Sequence, residues 1–340
     1  MTLSKATRPD RSPRVVILAF ILASLCLAAL IVGLSVGSTG FEPLWQLLTE
    51  PVSTQIVWAI RAPRSLGALL AGGLLGLAGA IAQGLFRNPL ADPFLLGSAS
   101  GASVGVALLL VGFGVSPVTA QWLIKLGLTG AAFVGAILAV LLTLSLARGV
   151  QHTLRLLLAG VVVGVVLGAL TSLLSLTHPE IMQSMQAFML GSTNVIDWSA
   201  CVIMAVLWCC CSLSAWSLSK VLDGLALGEA TAQSLGLPLA PLRAILIGVL
   251  ALATGTAVAQ TGLIAFVGLA APHMVRGLVK TNSAWLLLLS SLMGALLLLL
   301  ADLLARGLVA PLELPVGVVT AVLGGSYLMW LLNRQEAKRG

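Results

Sequence analysis

The sequence has few charged residues. Asp, Glu, Lys and Arg make up only 9% of its 340 residues, whereas a soluble domain typically has about 25%. Hydrophobic residues make up 59%, about 200 positions, and the mean hydropathy is +1.09. Because about 20 apolar residues cross the ~30 Å hydrocarbon layer, this composition excludes a soluble protein and suffices for about ten membrane crossings.

Aromatic residues are also scarce, with a single tyrosine among 36 glycines and long runs of Leu, Val and Ala. An outer-membrane barrel would have alternating strands of about ten residues and girdles of aromatic side chains. The apolar runs instead indicate helices, which satisfy their own backbone hydrogen bonds in lipid. We therefore predict an all-α polytopic membrane protein.

The residue patterns of common enzymes are missing. The five cysteines lie inside apolar runs without a C-x-x-C spacing, and the three histidines are scattered, so we expect no metal site. None of the five lysines follows a glycine, as the lysine of an ATP-binding loop does. We therefore expect a chain that does not hydrolyse ATP by that mechanism and binds no cofactor. A membrane enzyme stays an open alternative that the residue patterns do not support. The net charge of +7 does not predict a nucleic-acid partner, since in a membrane protein the distribution of basic residues matters more than their sum.

Ten apolar runs, separated by charged or Pro/Gly-rich breaks, predict ten transmembrane helices. They lie at 15–37, 62–85, 94–115, 128–147, 154–177, 198–219, 241–259, 262–279, 284–304 and 314–332. The run at 262–279 is weak, and merging it with the preceding run would leave nine spans. The first run is longer than the apolar part of a signal peptide, so we interpret it as an uncleaved span.

Basic residues favour ten spans over nine. With ten, fourteen Lys and Arg residues lie in the cytoplasm and four outside, against ten and eight with nine spans; the positive-inside rule prefers the first. Both termini are then cytoplasmic. The prediction comprises an N-terminal tail (1–14), a single ten-helix domain (15–332) and a C-terminal tail (333–340). Arg61, Arg64 and Arg306 are exceptions on the outer side.

Polar and small residues mark further features. Asp302 stands four residues before Arg306, which allows an ion pair on one helical face. Small residues at every fourth position, in 68–80 and 160–168, predict tight helix packing or a shared path. The longest inner polar segment, 219–240, contains a short amphipathic helix at about 223–237, and the outer segment 177–197 contains a short helix over 182–190.

Five motifs in order resemble one family of transporters. They are R-A-P-R (61–64), Q-G-L-F-R-N-P-L-A-D-P-F-L-L-G (83–97), L-A-L-G-E-A-T-A-Q-S-L-G (225–236), G-L-I-A-F-V-G-L-A-A-P-H-M-V-R (262–276) and P-L-E-L-P-V-G (311–317). This set is similar to the FecCD-type permeases of ABC importers for iron-siderophores, haem and cobalamin. The chain's length and ten-helix layout also match that family.

The resemblance implies a type II ABC importer permease in the bacterial inner membrane, which is not itself an enzyme. It implies a homodimer, two cytoplasmic ATPase subunits that bind ATP and Mg, and a periplasmic binding protein that delivers the substrate. We expect a ferric siderophore first, then haem, then cobalamin. The alternatives from other classes are an ion-coupled secondary transporter working alone and a membrane-embedded scaffold or enzyme.

The resemblance also implies roles for individual residues. The coupling helix would contact the ATPase through Leu227, Gly228, Glu229, Ala232, Gln233, Leu235 and Gly236. Three arginines would dock carboxylates of the binding protein: Arg61, Arg64 and Arg306. The expected pathway or gate residues are Gly191, Ser192, Thr193, Asn194 and Gln83. Snorkelling at a helix end, or pairing with Asp302, is the structural alternative for the arginines.

Overall fold

The computed structural model describes residues 13–37, 40–43, 51–113, 122–147, 153–234 and 236–336. Within these ranges the chain consists of helices and connecting loops, with one hairpin of two-residue strands, β1 (Val36–Gly37) paired antiparallel with β2 (Gly40–Phe41). The helices are α1 (Pro13–Ser35), α2 (Pro51–Ile56), α3 (Ala62–Phe86), α4 (Ser98–Phe113), α5 (Trp122–Leu146), α6 (Thr153–Thr177), α7 (Met182–Leu190), α8 (Trp198–Ser217), α9 (Ser219–Ala226), α10 (Glu229–Ser234), α11 (Leu239–Thr261), α12 (Val267–Leu278), α13 (Ser283–Gly307) and α14 (Val316–Glu336). A π-helical turn, Val57–Arg61, joins α2 to α3. Single 3₁₀ turns, Pro93–Leu96 and Pro179–Ile181, precede α4 and α7.

Seven helical stretches of the described residues are long and apolar enough to cross a membrane. They are Pro13–Ser35, Ser53–Phe86, Gly127–Leu146, Leu154–Thr177, Trp198–Ser217, Leu239–Thr261 and Ser283–Gly307. The other three predicted spans are also helices, but with shorter apolar stretches. Ser98–Phe113 is apolar throughout, α14 is apolar over Val316–Trp330, and α12 has only 12 residues with Pro272 inside it. The chain is thus a multi-span helical membrane protein, whereas ten crossings and cytoplasmic termini stay predictions. Residues 1–12 of the predicted N-terminal tail and 337–340 of the C-terminal tail lie outside the described residues.

Helix α3 lies at the centre of the molecule. In its most apolar stretch 89% of the residues are buried, against 22–28% in α1, α5, α6 and α8. Its small residues allow this position: a methyl group at Gly72 or Gly76 would collide with a carbonyl oxygen of α13, and one at Gly79 with that of Gly268 in α12. The predicted tight packing of the 68–80 face is therefore confirmed, since backbones approach only where side chains are missing.

The second set of small residues, on α6, behaves differently. Gly160 packs against the carbonyl oxygen of Leu95, but Gly164 has only the hydroxyl of Ser100 nearby and Gly168 has open space around it. The flanking valines of α6 are exposed, for example Val161 and Val165. This face leaves a broad apolar surface that needs lipid or another protein chain to cover it.

The predicted short helix over 182–190 is confirmed as α7. The single amphipathic helix predicted at 223–237 is instead two helices, α9 and α10, separated at Leu227 and Gly228. Gly228 has φ +108°, a conformation that glycine adopts readily and other residues do not. The continuous apolar pattern concealed this break because a helical period can run on through a turn.

Candidate functional site

The arginine end of the molecule is the end where α3 begins and α13 finishes. Arg61 closes the π-helical turn, and Arg64 lies in the first turn of α3. Pro63 favours a helix start at this point, since its fixed φ suits the first turn and its missing N–H is not needed there. Arg306 lies in the last turn of α13. The fold thus brings together three arginines from distant parts of the sequence.

Asp302, which is fully buried, is the centre of this end. Its Oδ1 accepts hydrogen bonds from Arg64 Nε at 3.1 Å and from the Thr193 hydroxyl at 2.5 Å, and its Oδ2 accepts one from Arg306. The predicted pairing of Asp302 with Arg306 is confirmed. Such burial of a carboxylate is tolerated only when partners of opposite charge and hydrogen bonds replace its water.

The arginines have further partners. Arg64 Nη1 donates to both carboxylate oxygens of Glu313, at 3.0 and 2.8 Å. Arg306 donates to the Ser65 hydroxyl at 3.1 Å. Arg61 Nη2 donates to Glu42 at 3.0 Å. Three guanidinium groups therefore meet three carboxylates, so the formal charges of this ionic cluster cancel.

The ionic cluster borders an open cavity of about 270 Å³. Its charged lining residues are Glu42, Arg61, Arg64, Arg306 and Glu313. The side chain of Glu42 is 41% exposed and that of Glu313 21%, whereas the three arginines are almost completely buried. A molecule arriving from solvent meets the two glutamates before the guanidinium groups.

The segment Gly191–Asn194 crosses this end next to the ionic cluster. Gly191 accepts a hydrogen bond from Gly317 N at 3.4 Å, and Ser192 N donates to Thr261 O at 2.7 Å. A side chain at Gly191 would collide with a backbone carbonyl oxygen, so the start of the segment is fixed by backbone packing. Thr193 is buried and Asn194 exposed.

Gln83 lies elsewhere. It is buried between α3 and α12, where it donates to Leu269 O at 3.1 Å and accepts from Arg276. It stands 19 residues along α3 from Arg64, about 28 Å at 1.5 Å per residue. The structure does not bring it together with Gly191–Asn194, and its side chain holds two helices together.

The opposite, two-helix end is formed by α9 and α10. Asp223 of α9 accepts a hydrogen bond from Ser283 N at 2.9 Å, so it caps the start of α13. Glu229, the first residue of α10, pairs with Arg243 of α11. Both contacts tie this end to long helices of the core.

The predicted coupling residues differ in exposure. Leu227, Gln233 and Gly236 are exposed, and Gly228 and Glu229 are half-buried. Ala232 is completely buried and packs within the two-helix end, so it does not lie on its surface. Leu235 lies outside the described residues. Contact of this surface with an ATPase stays a prediction.

Next to this end, Arg87 and Asp92 shape the turn between α3 and α4. Arg87 has φ 50° and ends α3, and Asp92 accepts a hydrogen bond from Phe94 N at 2.8 Å. Burial raises the pKa of the Asp92 carboxyl from 3.8 to about 6, against the lowering effect of that hydrogen bond. The connection from Arg87 to Pro93 is thus a compact, capped turn.

The model of the FecCD transport family matches residues 20–334. The chain belongs to this family. It is 40% identical to the vitamin B12 import system permease protein BtuC of Escherichia coli O17:K52:H18, over 92% of this chain and 93% of that one. It is 37% identical to the hemin transport system permease protein HmuU of Yersinia pestis, over 89% and 90% of the two chains.

Solved structures agree with this FecCD assignment. A chain of an ABC transporter assigned to the metal-chelate type, in an inward-facing conformation, superposes with a TM-score of 0.83 at 31% identity, over 93% of this chain and 98% of that one. A chain of the PsaBC complex from Streptococcus pneumoniae gives a TM-score of 0.60 at 18% identity, which shows the fold alone. The resemblance inferred from the five motifs is confirmed, and the chain is a permease subunit of the ABC importer class.

Within this FecCD chain, the sequence predicted the pairing of Asp302 with Arg306 but not the pairing of Arg64 with Asp302 and Glu313 or of Arg61 with Glu42. Arg64 and Asp302 are 238 positions apart, and Glu313 and Thr193 lie in two further loops. The one available signal was the spacing of Asp302 and Arg306. Docking of a binding protein at Arg61, Arg64 and Arg306 stays a prediction. The structure shows in addition that each of these arginines has a carboxylate partner within the chain.

Proposed function

We propose that this chain is the membrane-spanning permease of an ATP-driven importer of a metal chelate. The observation that carries the proposal is the family match over residues 20–334, supported by the inward-facing metal-chelate transporter with the same fold. Two copies of the chain form the pathway in the bacterial inner membrane. Two ATPase subunits, with ATP and Mg, supply the energy, and a periplasmic binding protein delivers the substrate.

The proposed orientation places the arginine end outside and the two-helix end in the cytoplasm, with both termini cytoplasmic and ten crossings. The exposed residues Leu227, Gln233 and Gly236 then face the ATPase, and the cavity beside Arg61 and Arg64 faces the binding protein. The apolar face of α6 supports a second copy as a neighbour, since it offers few side chains that could contact water.

The substrate is proposed as a class. The sequence expectation places ferric siderophores first, whereas the two named relatives are permeases for vitamin B12 and hemin. All three are metal chelates. An uptake experiment should therefore test ferric siderophores, haem and cobalamin as equal candidates.

A single reconstitution tests the proposal. The chain is placed in vesicles with its ATPase and binding protein, and uptake of the three chelate classes is measured with ATP, with a non-hydrolysable analogue, and with an imposed proton gradient alone. We expect uptake of one class, only with ATP, and no ATPase activity from the isolated chain. Uptake that follows the proton gradient without ATP would identify a secondary transporter instead.

The competing ion-coupled carrier has weak structural support. Such carriers use carboxylates inside the membrane that gain and lose a proton or bind an ion. Asp302 is the buried carboxylate at the end of α13, and it is engaged by two arginines and a threonine. A carboxylate held in this way is poorly suited to exchange protons during each transport cycle.

A further inference from the structure

The oxygen Oδ1 of Asp302 is shared between two parts of the arginine end. It accepts hydrogen bonds from Arg64 Nε in α3 and from the hydroxyl of Thr193 in the Gly191–Asn194 segment. All three side chains are buried, so no bulk water competes for these hydrogen bonds. The position of Thr193 therefore depends directly on the orientation of the Asp302 carboxylate.

The orientation of the Asp302 carboxylate is set by two guanidinium groups. Arg64 holds Oδ1, and Arg306, one helical turn away on α13, holds Oδ2 through Nη2. The Nε–H of Arg306 is buried and has no hydrogen-bond partner among the described residues. Arginine binds carboxylates best through two parallel N–H groups, and this unused Nε–H is the second donor that such a pairing with Asp302 requires.

If Arg64 moved away from Asp302, the pairing of Asp302 with Arg306 would change. Arg64 also contacts Glu313 at the wall of the open cavity, so a carboxylate presented there by another protein can compete for it. With Arg64 drawn away, Arg306 can bind both oxygens of Asp302 and turn Oδ1 away from Thr193. Among the described residues, the segment would lose its side-chain hydrogen bond to α13, from Thr193 to Asp302.

We infer that Asp302 is a positioning residue that locks the Gly191–Asn194 segment to α13, and that a carboxylate-bearing partner releases this lock by engaging Arg64. The inference rests on the proposed function for the identity of the partner, the periplasmic binding protein. The lock itself depends only on the contacts within this chain. The backbone hydrogen bonds at Gly191 would then act as the hinge about which the rest of the segment moves.

The first arm of the test uses the chain alone in lipid nanodiscs. The exposed Cys209 and Cys210 are first replaced by serine. The exposed Asn194 is then replaced by cysteine (Asn194→Cys), and a spin label is attached to it. Thr193→Val keeps the side-chain volume and removes the hydroxyl, and we expect the label's rotational correlation time to fall about twofold or more. Thr254→Val is the matched control, because Thr254 is equally buried but its hydroxyl bonds only within its own helix. Unchanged label motion in Thr193→Val would overturn the lock.

Asp302→Asn is a second variant, in which the lock is weakened through the carboxylate itself. We expect the label to become more mobile, as in Thr193→Val. Because this change leaves two arginines with less compensating charge, the variant could fail to fold, and the threonine variant then decides alone. A folded Asp302→Asn chain whose label moves as in the wild type would contradict the inference.

The second arm adds the substrate-free binding protein to the wild-type chain assembled with its ATPase. We expect the label at 194 to become more mobile on association, and Thr193→Val to show no further increase although its affinity for the binding protein stays within about twofold. An immobile wild-type label in the associated complex would overturn release by docking. Failure of the binding protein to associate with the wild-type chain would instead refute the proposed function, with the lock still judged by the first arm.

Discussion

Charge reversal of single arginines in the ionic cluster distinguishes a role in docking from a role in folding. Arg61 contacts Glu42, whose side chain is 41% exposed, whereas Arg64 lies between buried Asp302 and Glu313. Reversal at Arg61 therefore changes the cavity surface, but reversal at Arg64 places three carboxylates together out of water. The two arginines were predicted to act alike, and the structure gives them different consequences.

We expect Arg64→Glu to lower the free energy of unfolding by about 3–5 kcal/mol, the usual effect of breaking a buried ion pair from one side. Thermal unfolding of the purified chain would measure it, with Arg155→Glu as the control because Arg155 is exposed on α6. A melting temperature of Arg64→Glu equal to the control's would show that the ionic cluster contributes little to the fold.

For Arg61→Glu we expect a smaller fall in melting temperature than for Arg64→Glu, because its partner Glu42 is partly exposed, and weaker association of the binding protein. The loss of affinity should be largest at low salt, since the attraction between charged groups of two proteins across a solvent-filled cavity is screened as ionic strength rises. Surface plasmon resonance at several salt concentrations would measure it. Affinity equal to that of the wild type at low salt would exclude Arg61 from the docking surface.

Asp92 predicts a dependence of stability on pH. Burial raises the pKa of this carboxyl from 3.8 to about 6, so the folded chain holds the proton more tightly than the unfolded chain does. Asp92 therefore adds stability below about pH 4, and this contribution is lost as the pH rises to 6 and above. Asp92→Asn keeps an acceptor for Phe94 N and removes the charge.

We expect Asp92→Asn to melt at a higher temperature than the wild type at pH 7.5 and at nearly the same temperature at pH 4. Melting curves of the detergent-solubilised chain across this range would test it. A constant difference between the two proteins at every pH would mean that the carboxyl is not the group that titrates.

At the scale of helices, the close contact of α3 with α13 gives a prediction. A methyl group at Gly76 would collide with the carbonyl oxygen of Ser290, whereas nothing lies within 4 Å of one at Gly248 on α11. We expect Gly76→Ala to lower the melting temperature by several degrees because the helices must separate. Gly248→Ala should leave it equal or slightly higher, since alanine favours the helix by roughly 1 kcal/mol. Equal effects of the two substitutions would contradict the packing described for α3.

The two-helix end gives a prediction about coupling. Glu229 ties α10 to Arg243 of α11, and Glu229→Gln keeps a hydrogen-bond acceptor while it removes the attraction between charges. We expect reduced ATP-dependent uptake, because α10 would transmit movement to α11 less well, and a modest fall in melting temperature, because buried Arg243 loses its ionic partner. Gln233→Ala, on the exposed side of α10, is the control for loss of surface contact alone. Normal uptake by Glu229→Gln would remove this ion pair from the coupling path.

At the scale of the whole molecule, helix α13 connects the two ends. Its first residues are capped by Asp223 of α9, and Asp302 and Arg306 lie near its last turn. A helix of 25 residues is about 37 Å long. Movement of the two-helix end can therefore reach the ionic cluster through one rigid element packed along α3.

The sequence was informative about the helices and their family, and less so about the site. Apolar length located every long helix, and the fourfold spacing of Gly72 and Gly76 indicated the face of α3 that packs. Apolar length did not reveal that α12 has only 12 residues, because its start is delayed by the non-helical residue Phe266, which has φ 69°. The partners of Arg64 could not be predicted, since no local pattern reports which of the 11 acidic residues a distant loop brings near.

The long separation of Arg64 from Asp302 also has a consequence during synthesis. Ribosomes complete α3 more than two hundred residues before they complete α13. While most of the protein is still being made, the inserted α3 therefore has the Arg64 guanidinium without its carboxylate partners and the face of Gly72 and Gly76 without its packing partner. A chain cut short before residue 283 would keep both defects permanently. Such fragments should be recognised and degraded by membrane proteases, whereas the finished polypeptide conceals both features as soon as its ninth predicted span arrives.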